Sequence, residues 1–177
     1  MNNGKAKIDN TFGNYSITIP SKKNWFILLF GTAWMGGWYF GFKSAITDFG
    51  FGENGGFDGF MTFWLFGWTI GGIAIVSMLL WGYFGKEKIE FDRQNVRLEK
   101  TVFGIGLKKR LIINEVKNFR FEKINENMIG GSRWAMWGLG PGKVKFDYGF
   151  KTYSFGLGVD DAEANYLVEE LNKKIIK

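Results

Sequence analysis

Hydrophobic and polar positions fall into three regimes along the chain. Residues 1–24 are mostly polar, but Tyr15-Ser16-Ile17-Thr18-Ile19 alternates and predicts a strand. Trp25 to Phe42 is then 18 residues without a charge, closed by Lys43, and Gly59 to Gly85 is 27 more, closed by Lys86. Neither run has a polar face, and both meet or approach the roughly 20 apolar residues that cross about 30 Å of hydrocarbon. The pattern predicts a membrane α+β protein with a two-helix transmembrane hairpin over residues 25–85. No small-residue cleavage site follows the first run, so both stretches are expected to stay in the mature chain.

From residue 86 the period changes to two. Ile89 and Phe91 alternate, 93–95 makes a turn, and strands are predicted over 96–103, 107–113 and 117–124, with 104–106 as a glycine-rich hairpin loop. Gly140-Pro141-Gly142 is a turn, after which Val144, Phe146 and Tyr148 alternate; Gly149 starts a further turn into 151–155. A helix closes the chain. Asp160 caps it with Glu163 three residues on, and Ala164, Leu167, Val168, Leu171 and Ile175 form one apolar stripe.

Charge orients the chain. Lys5, Lys7, Lys22 and Lys23 precede the first apolar run, and Lys86, Lys88, Arg93, Arg97 and Lys100 follow the second. The loop between holds Lys43 against Asp48, Glu53 and Asp58. The positive-inside rule then predicts a multi-pass protein of the plasma (inner) membrane with both termini cytoplasmic. The net charge of +6 reads as a topology signal and an attraction to anionic headgroups, and no nucleic-acid partner is expected. With no Cys and no His in the chain, thiolate and imidazole chemistry are closed to it. No catalytic, cofactor-binding or metal-binding residue is expected, and no cofactor.

Three groups of residues are candidates for interaction. Ala33, Gly37 and Gly41, with Gly67 and Gly71, have the four-residue spacing that lets membrane helices approach closely, within the chain or against a second copy or another protein. Lys108-Lys109-Arg110 is the densest basic cluster; it is either a solvated hairpin edge or a contact for anionic lipid headgroups. Arg133, Trp134 and Trp137 have the composition of a binding hot spot, although a strand there would turn one tryptophan into a core.

The segments IPSKKNWF (19–26), WTIGG (68–72) and LWGYFGKEKI (80–89) resemble bacterial membrane proteins of undefined activity that join two transmembrane helices to a cytoplasmic domain of the pleckstrin-homology (PH) type. The resemblance implies a PH-like antiparallel β-sheet domain over residues 86–177, closed by the C-terminal helix, behind a short cytoplasmic segment 1–24 and the membrane hairpin 25–85. The resemblance implies no common chemistry; the expected function is that of a non-catalytic, membrane-anchored interaction or assembly module presenting this domain at the cytoplasmic membrane surface. The partners are then the bilayer, a protein or a second copy, and anionic headgroups. An accessory subunit of a transporter or channel is the alternative reading; a lipid-acting enzyme is disfavoured because no carboxylate or histidine lies in either apolar run.

Overall fold

The computed structural model describes residues 4–11, 14–47, 59–124, 135 and 138–175. Eight strands and three α-helices occur among them: β1 Lys7–Thr11, β2 Asn14–Pro20, α1 Trp25–Ala45, α2 Gly59–Phe84, β3 Gly85–Phe91, β4 Asn95–Val102, β5 Ile105–Ile112, β6 Val116–Phe121, β7 Val144–Tyr148, β8 Lys151–Phe155 and α3 Asp161–Ile175. The chain divides into two units, one of residues 1–24 with 81–177 and one of residues 25–80.

The first unit corrects the expected architecture. A two-helix transmembrane hairpin followed by a PH-like domain is overturned on three findings. There are three helices among the described residues, a single one of them (α2) is long and apolar enough to cross a membrane, and the strands form two antiparallel sheets. The first sheet has the order β1-β2-β3-β4-β5 and the second β6-β7-β8. Strands from before α1 therefore complete a sheet whose other strands come after α2, with β2 pairing β3 from Tyr15↔Phe91 to Pro20↔Lys86. The physical reason lies in β2, which buries Tyr15, Ile17 and Ile19 on one face and so needs a core. In α1, three aliphatic residues (Ile27, Leu28 and Leu29) and the charge of Lys43 leave the hydropathy below that of α2, which has three isoleucines, three leucines and a valine and no charge.

The core of this unit joins β2, β3 and β4 to β6, β7, β8 and α3. Phe146 is fully buried at its centre, its ring 4.9 Å from that of Phe119 and 6.4 Å from that of Phe155. Asp160 accepts the Glu163 N–H at 2.7 Å and caps α3. The stripe Ala164, Leu167 and Leu171 is fully buried, and Asn172 donates to the Phe119 carbonyl at 3.1 Å, tying the helix to β6. Gly142 is held where a side chain would strike the Phe155 backbone, which explains a glycine after Pro141.

The unit of residues 25–80 is a pair of helices whose large side chains face outward. Phe63 and Ile73 on α2 and Phe26 and Phe40 on α1 are all exposed, more large apolar side chains than a water-facing helix pair usually shows. Leu79 lies against Gly31, Trp68 against Gly41 and Trp38 against Gly72.

Candidate functional site

The register of β3, β4 and β5 sets three residues side by side on the face turned toward the second sheet, in successive rows. Phe91, Val96 and Leu111 form the first row, Ile89, Leu98 and Lys109 the next, and Glu87, Lys100 and Leu107 the last. The first row is fully apolar and lies in the core. Toward the β4–β5 turn, charged side chains take core-facing positions, which costs stability unless each is partnered. Beyond them the two sheets part, because β5 and β8 are both edge strands and are not paired with each other.

A cleft of about 600 Å³ occupies this seam, with Leu98, Leu107, Tyr153 and Phe155 among its apolar walls and Lys88, Lys100, Lys109 and Lys151 among its basic ones. Glu87 is buried at its floor. Its carboxylate accepts the backbone N–H of Gly156 at 2.6 Å and holds the Lys100 ammonium at 2.9 Å. The Lys109 ammonium stands 5.1 Å from the centre of the Tyr153 ring, a cation–π contact on the cleft wall. The cleft thus offers a cation against an aromatic face beside aliphatic carbons, which suits a ligand that carries an anionic group and an apolar part.

Two charged groups near the second sheet are fixed by their neighbours. Asp147 on β7 accepts hydrogen bonds from Arg120 at 2.8 Å, Thr152 at 2.8 Å and Asn118 at 3.3 Å, which hold its carboxyl below the usual aspartate range. Asp161 is lowered by the hydrogen bond from Lys143 at 2.7 Å. Burial, then the Glu170 charge and Tyr166, push the Tyr15 hydroxyl up to about 12. Among the described residues there is no group of three or more His, Cys, Asp or Glu side chains placed to hold a metal ion.

The basic cluster is divided by strand alternation. Lys109 faces the cleft, whereas Lys108 and Arg110 lie on the opposite face of β5, beside Glu99 and Arg97 of β4. Arg133, Trp134 and Trp137 lie outside the described residues. Of the small residues in the helical unit, Gly41 meets Trp68 and Ala33 is exposed. Gly37, Gly67 and Gly71 line an apolar groove of about 950 Å³ with Trp34, Trp38, Trp64 and Trp68, where an added methyl at any of the three would touch nothing within 4 Å. Glu87 and Tyr153 carry no motif. Their signal is alternation: Glu87 shares a face with Ile89 and Phe91, and Tyr153 with Phe155. No protein family matches this chain, and no curated protein and no solved structure matches it either.

Proposed function

We propose that this chain is a non-catalytic, membrane-anchored binding module whose β unit offers the cleft between β5 and β8 to a partner with an acidic, partly apolar segment. The observation that carries the reading is the pairing of β2 with β3. Ser21 donates to the Gly82 carbonyl at 3.0 Å although the two are 61 positions apart, so the apolar segment between them starts and ends at one place. With α2 across a membrane, the contact at Ser21 and Gly82 holds the β unit at the end of that helix. The basic residues flanking this segment put both termini in the cytoplasm of a multi-pass protein. Covalent tethering at both sides of the sheet raises the local concentration of any membrane-bound partner, so modest contacts at the cleft suffice.

The test is purification of the full chain in mild detergent, with and without Lys109→Glu. A stoichiometric partner that is lost on charge reversal, while the variant keeps its melting profile, is the expected result. Turnover of lipid by the purified chain alone, or a partner retained by the variant, overturns the reading. Topology is read from single cysteines, which the cysteine-free chain permits. A cysteine at Asn172 labelled from outside in intact cells overturns the orientation.

A further inference from the structure

The β4–β5 turn has a composition that the folding of the sheet does not call for. Its two central residues, Phe103 and Gly104, both have positive φ, at 51° and 84°, the backbone of a tight two-residue hairpin. Gly104 adopts this freely, but a bulky aromatic residue in the left-handed region is strained, and such strain persists where a site uses it. The Phe103 ring is 72% exposed, Ile105 beside it 82%, and Leu107 two positions on 73%. Three large apolar side chains thus stand in the open at one hairpin end, where asparagine and glycine are the residues the turn favours.

Two further observations say what covers them. The Phe103 ring lies 4.8 Å from that of Phe84, and Phe84 is the last residue of α2, the helix long and apolar enough to cross a membrane. The apolar tip is therefore continuous with the end of that helix. Immediately behind the tip, Lys108 and Arg110 project from one face of β5 and Lys109 from the other, and residues 100–114 contain no acid. At about 3.3 Å per strand residue, Lys108 stands about 10 Å back from Ile105. That matches the depth to which interfacial segments sink their apolar side chains, roughly 5–10 Å, with basic residues left at the headgroups. The β7–β8 turn serves as the contrast: Phe150 is as exposed, but it lies beside Asn114 and Glu115 past the far end of β5.

We infer that the β4–β5 turn is a membrane-inserting finger: Phe103 and Ile105 enter the headgroup–acyl boundary of an anionic leaflet, and Lys108 and Arg110, on the face of β5 turned away from the cleft, bind its headgroups. The inference rests on α2 being a span. The finger would set the tilt of the β unit on the bilayer and give its docking a dependence on lipid charge that the spanning helix does not supply.

The test uses the full chain in vesicles of phosphatidylcholine, with or without phosphatidylglycerol, carrying one spin-labelled cysteine at a time. Ile105→Cys reads the finger, Val76→Cys reads α2, and Phe150→Cys reads the opposite pole; all three positions are exposed, so folding is not at risk. Accessibility to oxygen and to a water-soluble nickel complex gives the depth of each label. The expected result is a label at 105 protected several-fold from nickel relative to 150 in vesicles with phosphatidylglycerol. That protection should be reduced in phosphatidylcholine alone and in the variant K108Q/R110Q. A label at 105 as nickel-accessible as that at 150, with 76 protected, overturns the finger and leaves the span standing. Nickel access at 76 overturns the span and the finger with it. Protection at 105 that ignores both lipid charge and the double variant overturns the headgroup role of the basic residues.

Discussion

Truncating Glu87 tests whether the charged row on the inner sheet face is held by its ion pair or by its backbone contact. Glu87→Ala removes the acceptor of the buried Gly156 N–H, and an unpaired buried donor costs about 1–3 kcal/mol. It also strands Lys100, but that side chain is 39% exposed and can turn to water, so its loss adds little. The expected sum is about 2–3 kcal/mol. Glu87→Gln keeps an amide oxygen for the same N–H and gives up only the charge, at a cost below about 1 kcal/mol. Thermal unfolding of the full chain in detergent, followed by tryptophan fluorescence, should separate the two. At about 2–4 °C per kcal/mol, the alanine variant melts about 4–12 °C below wild type and the glutamine variant within about 4 °C. Lys100→Ala should resemble the glutamine variant. The reasoning is refuted if Gln is as damaging as Ala, which would make the ion pair dominant. It is equally refuted if the Ala variant melts with wild type.

Leu171→Ala should destabilise the β unit by about 2–5 kcal/mol, because a fully buried leucine leaves a cavity between α3 and β6; denaturant unfolding checks it. Asp147 and Asp161 have folded-state pKa values below the ordinary aspartate value of about 3.9. Their contribution is complete above that value and is lost as pH falls through the lower folded one. The denaturation midpoint should drop with acid, and less steeply in Asp147→Asn. The Tyr15 hydroxyl, raised from 10.0 to about 12, works in the opposite direction. Its contribution, up to about 2–3 kcal/mol, is complete below pH 10 and disappears as pH rises through about 12. The difference in melting between wild type and Tyr15→Phe should shrink over that interval and not below it.

Much of the fold is legible in the order of residues wherever one face must be apolar. The alternation in Tyr15 to Ile19 marks β2, and Asp160 with Glu163 marks the start of α3, because each pattern has a single geometric use. What is hidden is partnership. In β1 the sequence KIDNT offers one apolar residue, Ile8, since an edge strand needs less of a buried face, and nothing local announces it. That β2 reaches across the helices to β3 is likewise invisible to periodicity, which reports a residue's face but not the strand that will lie beside it. The turn after β4 shows the limit at finer scale. Gly104 and Gly106 suggest a loop centred on Ile105, whereas pairing of Val102 with Ile105 puts Phe103 at the tip.

The candidate site was concealed by the same ambiguity. In Lys86-Glu87-Lys88-Ile89-Glu90-Phe91 every second residue is charged on one face, and that reads as an ordinary solvated strand. Alternation puts Glu87 on the face of Ile89 and Phe91, but only the register shows Lys100 opposite it, and only burial shows that this carboxylate is interior while Glu90 is not. The triplet Lys108-Lys109-Arg110 makes the complementary case. Contiguity along the chain suggests one patch, yet a strand sends neighbours to opposite faces, so Lys109 serves the cleft while Lys108 and Arg110 look away from it. A charge on a strand gains meaning from the row it occupies across the sheet. The row that holds Glu87, Lys100 and Leu107 is where the inner face stops excluding water and becomes a surface that can bind.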